Sequence, residues 1–424
     1  MREEKMTENK CVIGANAVEA IADFAAERGA RLAFLCGDEN TYPLAAGAIG
    51  AALAARGIGA LSYVLPAGIA EPDERAVGSL FLHFEEACDL VIGIGSGVVN
   101  DLCKLLAHRT HRPYAIFATA PSMDGWASPL SSMVRGGMKV SIPTKRAELI
   151  AADPAVLCRA PEALLRAGLG DMLAKYISIC EWRIGHLITG EAYDETIAAD
   201  VRRAVRACVA SAGALLSRDA AAAASVFEGL VLAGEAMARA GCSRPASGGE
   251  HYLSHLWDMR ALAFGTESTL HGLQCAVSTS LFVRLYRNLP PTPPSREAAL
   301  AFVRAFDLAA HNAALRDFLG EGAEPMITLE KKEGKYDPAR HEARLDRILS
   351  HYHEILAIVD EELPTQKELD SLYEAIGLPT TPPEGGVLAR SLRFGGDIRD
   401  KYVLPRLLWD LGLLDKVCLS LEDQ

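Results

Sequence analysis

The chain of 424 residues is too long for one ordinary hydrophobic core, so its length predicts two domains. Half of the residues are hydrophobic and 23% are charged, which is typical of globular proteins. The net charge of −12 argues against a nucleic-acid partner or an acidic membrane surface, because both require a basic protein surface.

Short apolar strands alternate with amphipathic helices over the first part of the chain. Strands are predicted at RLAFLCG, ALSYVLP, DLVIGIGSG and PYAIFATAPS, with two more short strands in KVSIPTKRAELIAADPAVLCRAP. Helices are predicted at ANAVEAIADFAAERGA, PLAAGAIGAALAARG, DERAVGSLFLHFEEAC and VVNDLCKLLAHRT. This alternation is typical of βαβ units, so residues 1–160 are predicted to form an α/β domain with a parallel sheet.

Helical periodicity replaces this alternation after a proline-marked boundary near residue 160. Residues 161–424 show almost no strand pattern and are predicted to form an all-α domain. The alanine-rich segment RDAAAAASVFEGLVLAGEAMARAG is interpreted as a tightly packed bundle helix. A cleft between the two domains is the expected place for a ligand.

Targeting signals and disulfide patterns are not visible in the sequence. The charged N-terminal segment MREEKMTENK lacks an apolar core, so no secretory signal is expected, and no run is long enough for membrane insertion. The ten cysteines are scattered without a CxxC motif, which favours reduced thiols in a cytoplasmic protein.

Three groups of polar or small residues follow predicted strands, where ligands of parallel sheets bind. Asp38 follows the first of these strands, Gly95–Asp101 form a glycine turn, and Thr119–Asp124 form a turn around a proline. Glycines before a helix let the backbone approach a pyrophosphate, and an acid at the position of Asp38 accepts from a ribose hydroxyl. Simpler roles stay open: a tight strand-to-helix turn, a helix N-cap for Asp38 and an Asx-turn for Asp124.

One carboxylate and three histidines in the helical half form a candidate metal set. His251 and His255 lie one helical turn apart in GGEHYLSH, and His271 opens another predicted helix. Asp171 follows two glycines in AGLGDMLAKY, where a helix N-cap is the simpler interpretation. One acid with two imidazoles holds a divalent metal and leaves positions open for substrate, but spacing does not decide between His251 and His255.

Six segments of the chain, in the order in which they occur, resemble the sn-glycerol-1-phosphate dehydrogenase family. That family lies within the group of iron-containing alcohol dehydrogenases, glycerol dehydrogenases and dehydroquinate synthases. The similarity runs from about residue 35 to about residue 415, and the pairing of TAPSMDG with GEHxxSH is its most specific part. The matching segments are GSGVVNDL, PYAIFATAPSMDGWAS, AGLGDMLAKYISICEWRIGH, SRPASGGEHYLSH, LHGLQCAV and IRDKYVLPRLLWDLGLL.

The resemblance implies an α/β dinucleotide-binding domain and an all-α metal-binding domain, the dehydroquinate synthase-like arrangement. It implies the NAD- or NADP-dependent interconversion of dihydroxyacetone phosphate and sn-glycerol 1-phosphate. Asp171, His251 and His271 would then be metal ligands with catalytic roles, and Asp124, Asp171 and His255 would contact the substrate. The cofactor would be lined by Asp38, Gly97, Val98, Val99, Asn100, Asp101, Thr119, Ala120, Pro121, Ser122 and Ser128.

The ligand types favour zinc, and nickel or iron(II) accept the same set. Lys175 and Arg244 are chemically suited to bind the substrate phosphate, although solvated surface positions suit them equally well. The alternatives are a dehydrogenase of an unphosphorylated polyol such as glycerol, a dehydroquinate synthase-like lyase, and a protein that binds metal or nucleotide without catalysis. A homo-oligomer in the cytoplasm is expected, with a small phosphorylated triose or glycerol substrate.

Overall fold

The computed structural model describes residues 10–66, 71–136, 138–382 and 384–422. The N-terminal segment that lacks a predicted signal lies outside the described residues, apart from Lys10. Within the described ranges the structure has eight strands. They are β1 (Lys10–Ile13), β2 (Leu32–Asp38), β3 (Gly59–Leu65), β4 (Leu90–Gly95), β5 (Tyr114–Ala118), β6 (Leu130–Arg135), β7 (Met138–Pro143) and β8 (Leu149–Ala152).

Six of these strands form one parallel sheet in the order β1-β8-β5-β4-β2-β3. The central strand β4 is completely buried, which explains its continuous apolar run. Strands β6 and β7 form a separate antiparallel pair. The predicted parallel sheet is therefore confirmed, with β1 as an additional edge strand and β6 as an additional partner for β7.

Twenty α-helices surround or follow the sheet in the described part of the chain, and they fall into two sets. The first set is α1 (Ala17–Glu27), α2 (Tyr42–Ala55), α3 (Glu74–Leu82), α4 (Gly97–Thr110), α5 (Pro154–Leu157), α6 (Glu162–Leu173), α7 (Lys175–Thr189), α8 (Glu195–Leu216), α9 (Ala220–Ala240), α10 (Gly249–Phe264) and α11 (His271–Arg287). The second set is α12 (Arg296–Ala305), α13 (Leu308–Leu319), α14 (Ala323–Glu333), α15 (Pro338–Ser350), α16 (Tyr352–Glu362), α17 (Gln366–Ile376), α18 (Leu388–Gly395), α19 (Leu404–Asp410) and α20 (Leu414–Leu419).

Local sequence signals explain many of the helix boundaries. The Asp73 carboxylate caps α3 by accepting from the Ala76 N–H, and Asp153 caps α5 in the same way. Thr365 and Glu368 form a reciprocal capping box at the start of α17. No strand occurs after β8 among the described residues, which confirms the predicted all-α character of the C-terminal part.

The chain divides into two compact units. The first unit comprises residues 1–172 and 206–239, so it contains the sheet together with most of α9. The second unit comprises residues 173–205 and 240–424 and is helical. The boundary predicted near residue 160 concerns domains that fold independently, and it stays a prediction.

Helix α9 was predicted as a packed bundle helix. It is the one described helix with the length and hydropathy of a membrane span, and 56% of that segment is buried inside the protein. On α9, the ring of Phe227 contacts Trp126, with ring centroids 5.3 Å apart. The burial agrees with the predicted packing role of this helix.

Candidate metal and cofactor site

The predicted cofactor residues lie at the carboxyl edge of the sheet in the first unit. Asp38 ends β2, Gly97 begins the helix that follows β4, and Thr119 follows β5. These three strands are neighbours in the sheet order β5-β4-β2. The Ser96 and Ser122 hydroxyls, 2.5 Å apart, connect the turns that follow β4 and β5.

Packing explains two of the three glycines in the turn after β4. A Cβ atom on Gly95 would lie 2.6 Å from the side chain of Val99, and a Cβ on Gly93 would lie 2.8 Å from Ile116. Gly97 has no neighbour closer than 3.7 Å, so it leaves open space at the start of α4. No side chain among the described contacts caps this helix, and its first N–H groups suit a phosphate.

The Asp38 carboxylate forms a local turn. Its Oδ1 atom accepts hydrogen bonds from the backbone N–H groups of Asn40 and Thr41, at 2.9 and 2.8 Å. The Asp38 N–H in turn donates to the Thr41 hydroxyl at 3.2 Å. This is the backbone role that the sequence left open for Asp38, and it orients the carboxylate just before α2.

Side chains of the first turns of α4 hold the segment after the proline turn. The buried Lys104 ammonium donates to the carbonyl oxygens of Gly125, Ser128 and Leu130, at 3.2, 3.4 and 2.6 Å. Asp101 neutralises this ammonium at 3.2 Å. Asp101 and Ser128, both predicted to line the cofactor, therefore belong to one polar network beneath the turn.

Two glycines bring helices close to the turn at residues 119–125. A Cβ on Gly168 of α6 would lie 1.8 Å from the Pro121 carbonyl oxygen, so no larger residue fits there. A Cβ on Gly234 of α9 would lie 2.9 Å from the Asp124 carbonyl oxygen. Both helices therefore approach the backbone of this turn directly.

The same close approach joins Asp124 to Asp171. The Asp124 N–H donates to Asp171 Oδ2 at 2.9 Å, and the Asp171 side chain is completely buried. The N-cap interpretation of Asp171 is wrong, because α6 begins at Glu162 and Asp171 lies in its last turn. Helix α6 ends at Leu173, the first residue of the second unit.

In the second unit, one face of α10 carries four polar side chains at helical spacing: His251, Ser254, His255 and Asp258. The imidazole of His271, at the start of α11, packs against this face. Its ring centroid lies 5.0 Å from that of His251 and 5.8 Å from that of His255. The structure therefore brings the three predicted histidines together.

A chain of hydrogen bonds defines the tautomer of His271. Asp258 accepts from Gln274 Nε2 at 3.0 Å, which orients the Gln274 amide oxygen toward Ser254. The Ser254 hydroxyl donates to that oxygen at 2.6 Å, so it must accept from His271 Nδ1, 2.9 Å away. His271 Nε2 is then unprotonated and carries the lone pair that a metal needs.

His251 is oriented in an equivalent way by its sequence neighbour. Its Nδ1 atom lies 2.7 Å from Glu250 Oε1, which also accepts from the Gly248 N–H at 2.8 Å. A carboxylate on Nδ1 leaves Nε2 as the lone-pair nitrogen, an arrangement common to metal-binding histidines. The nearby Glu181 is buried, and burial together with the charge of Glu250 raises the pKa of Glu181 above its usual range.

Cys275 is a member of this cluster that the sequence reasoning missed. It lies one helical turn after His271, is completely buried, and its Sγ atom is 3.6 Å from His271 Nε2. The ligand atoms of His251, His271 and Cys275 all lie within 4.8 Å of one another. Burial acts to raise the pKa of the Cys275 thiol, but the two imidazoles lower it below its usual value.

Neither cation suggested for the substrate phosphate lies on the surface. Arg244 is buried and its guanidinium donates to both carboxylate oxygens of Glu191, at 2.7 and 2.5 Å, and to the Tyr402 carbonyl oxygen at 3.0 Å. Lys175 is also buried, at the start of α7. The surface interpretation is therefore wrong for both, and Arg244 is committed to a structural ion pair.

Comparison with known proteins yields one family and a consistent set of relatives. Residues 12–161 match the family described as iron-containing alcohol dehydrogenase. A glycerol-1-phosphate dehydrogenase [NAD(P)+] of Bacillus velezensis is 34% identical over 297 residues, which cover 68% of this chain and 75% of that protein. The enzyme with the same name from Halalkalibacterium halodurans is 30% identical, over 65% of this chain and 70% of its own length.

Solved structures with the same fold are more distant in sequence. The glycerol dehydrogenase of Schizosaccharomyces pombe is 18% identical with a TM-score of 0.57, and the match covers 100% of this chain and 93% of that one. The maleylacetate reductase of Agrobacterium tumefaciens is 12% identical with a TM-score of 0.61, over 96% of this chain and 95% of that one. At these identities the likeness establishes the fold alone, a parallel-sheet unit and a helical unit in one chain.

Proposed function

The chain belongs to the glycerol-1-phosphate dehydrogenase family, and on that premise we propose that it interconverts dihydroxyacetone phosphate and sn-glycerol 1-phosphate. The reaction uses NAD or NADP and a divalent metal. The observation that carries the proposal is the pair of imidazoles, His251 and His271, whose Nδ1 atoms are both occupied by hydrogen bonds. Such a pair presents two lone-pair nitrogens, which is the donor chemistry of a transition-metal site.

The proposed metal ligands are Asp171, His251 and His271. Asp171 supports this assignment because it is a completely buried carboxylate, and a buried charge requires a partner of opposite sign. Two nitrogen donors and one oxygen donor favour zinc, and nickel or iron(II) are the alternatives that metal analysis of the purified protein distinguishes.

When bound, the metal stabilises negative charge on the substrate oxygen at C2 as a Lewis acid, and the nicotinamide carries the hydride. The residues of this chain position those groups and manage the proton. His255 is half-buried and lies one turn after His251, so it reaches both the substrate and the solvent. We assign it the transfer of the alcohol proton, because imidazole exchanges protons near neutral pH.

The proposed cofactor site is the carboxyl edge of β2, β4 and β5. Gly97, Val98, Val99, Asn100 and Asp101 form the first turn of α4, whose N–H groups accept the pyrophosphate. Thr119, Ala120, Pro121, Ser122 and Ser128 line the neighbouring turn, and Asp38 is assigned to the ribose hydroxyls. Asp124 is assigned to the substrate, because its N–H already contacts the proposed ligand Asp171.

The direct test is the oxidation of NADH and NADPH by the purified protein with dihydroxyacetone phosphate. We expect a steady decrease in the absorbance of the reduced nicotinamide, and a much lower rate with unphosphorylated dihydroxyacetone. Equal rates would instead support a polyol dehydrogenase. A lyase of the dehydroquinate synthase type regenerates its NAD in each turnover, so it would show no steady absorbance change.

Replacing Ser254 with alanine is expected to weaken metal binding by about 10- to 100-fold, because His271 loses the acceptor that orients its ring. The dissociation constant for zinc is measured by competition with a chelator. Ser280→Ala, on the same helix as His271, is the matched control and keeps wild-type affinity. Equal affinities for the two variants would contradict the orienting role of Ser254.

The remaining expectations concern the whole protein in solution. A homo-oligomeric state and a cytoplasmic location stay predictions, and so does the absence of nucleic-acid and membrane partners. Light scattering of the purified protein measures its mass and so tests the oligomeric state.

A further inference from the structure

The sulfur of Cys275 faces the same point in space as the two proposed imidazole ligands. Cys275 and His271 lie four residues apart on α11, so their side chains project from the same helical face. The sulfur interacts with the imidazoles of both His251 and His271, although His251 comes from a different helix. Three donor atoms of different residues thus converge within 4.8 Å.

The hydrogen bonds around this cluster leave the inner nitrogens for a metal. Since Ser254 and Glu250 occupy the Nδ1 atoms, the Nε2 atom of each imidazole carries a lone pair. Cys275 Sγ lies 3.6 Å from one of these unprotonated nitrogens, in a completely buried position. A cysteine that only filled space in the core would need no such neighbours, whereas a thiolate ligand requires them.

We infer that Cys275 supplies a thiolate ligand to the metal that His251 and His271 hold. The inference rests on the proposed function for the presence of that metal, and it adds a sulfur donor to the oxygen and nitrogen donors assigned above. Binding replaces the S–H bond with a metal–sulfur bond and releases the proton to solvent. Zinc accommodates four protein donors and expands to five ligands when substrate arrives.

A sulfur donor changes which metals the site selects. Soft thiolate ligands favour zinc over hard ions such as magnesium and manganese, so these two are expected to compete poorly. The same donor makes the site sensitive to oxidants, because a thiolate is the form of cysteine that oxidises most readily.

X-ray absorption spectroscopy of the zinc-loaded wild-type protein tests the inference without any substitution. We expect one sulfur neighbour at about 2.3 Å beside nitrogen and oxygen neighbours at about 2.0–2.1 Å. A fit with nitrogen and oxygen alone, in protein that turns over dihydroxyacetone phosphate, would overturn the role of Cys275 and leave the proposed function intact. Failure of turnover with a sulfur neighbour present would do the reverse.

Cobalt substitution provides a second measurement with a matched control. Wild-type protein loaded with Co(II) is expected to show the near-ultraviolet charge-transfer band of a thiolate ligand, and Cys275→Ser is expected to lose it. Cys418→Ser, which replaces an equally buried cysteine of the same unit, keeps the band. A band that survives in the Cys275→Ser protein would show that its sulfur does not bind the metal.

Discussion

Replacing His251 with alanine is expected to lower kcat for dihydroxyacetone phosphate at least about a thousandfold. The variant loses one of the two imidazoles that we assign to the metal, and with it the stabilisation of charge on the substrate oxygen. That stabilisation amounts to several kcal/mol, and each tenfold change in rate corresponds to about 1.4 kcal/mol. Metal content per chain, measured by mass spectrometry of the purified variant, falls together with the rate.

Two further measurements make this result specific. His353→Ala replaces an exposed histidine of the same unit and keeps both metal and activity. NADH binding, followed by its fluorescence, is expected to survive in the His251 variant, because the proposed cofactor residues lie in the other unit. A folded His251→Ala protein with full metal content and the wild-type rate would refute the ligand assignment.

Gly168→Ala is expected to lower the free energy of unfolding by about 3 kcal/mol, the upper part of the usual range for overpacking. The added Cβ would lie 1.8 Å from the Pro121 carbonyl oxygen and 2.8 Å from its carbon. Both atoms belong to the backbone of a proline turn, so neither moves aside at low cost. Helix α6 must shift away from the turn, which also weakens the hydrogen bond between Asp124 and Asp171.

Urea denaturation of the two proteins measures this difference, and a second glycine supplies the control. Gly213 lies on the exposed face of α8, and a Cβ added there would have no neighbouring atom within 4 Å. Gly213→Ala is expected to stabilise the protein by about 0.5–1 kcal/mol, because alanine favours the helix. Equal effects of the two substitutions would mean that the close approach at Gly168 carries no energetic weight.

Much of the α/β architecture was predictable from the sequence because buried strands leave a plain signal. The apolar run from Leu90 to Gly95 is short, uninterrupted and followed by a helix, as a central parallel strand requires. Strand β1, KCVI, was missed because it is short and lies at an edge of the sheet. Strand β6, LSSMVR, was missed because its two serines made the segment resemble a turn.

The candidate site was predictable only in part, since several of its features depend on packing between distant segments. Gly168 and Gly170 suggested a helix start before Asp171, whereas both lie inside α6. Only the position of Pro121 reveals why a glycine is needed in that helix. The His271–Cys275 spacing was visible, but a single sequence does not separate a ligand from one more buried thiol.

The hydrogen-bond partners of the histidines were equally hidden. Ser254 follows from its spacing on α10, but its acceptor Gln274 lies on another helix, and the order of donors along the chain depends on Asp258. The proposed ligand types were thus readable from the sequence. The protonation states that make them suitable ligands required the structure.

The first compact unit is discontinuous in the chain, and this has a consequence for synthesis on the ribosome. Residues 206–239 return to it, and Phe227 and Gly234 of α9 pack against Trp126 and the turn at Asp124. A nascent chain that ends at residue 172 therefore exposes the surfaces that α9 later covers. The sheet unit reaches its final packing only after a large part of the helical unit has been translated, so early truncation products are expected to aggregate.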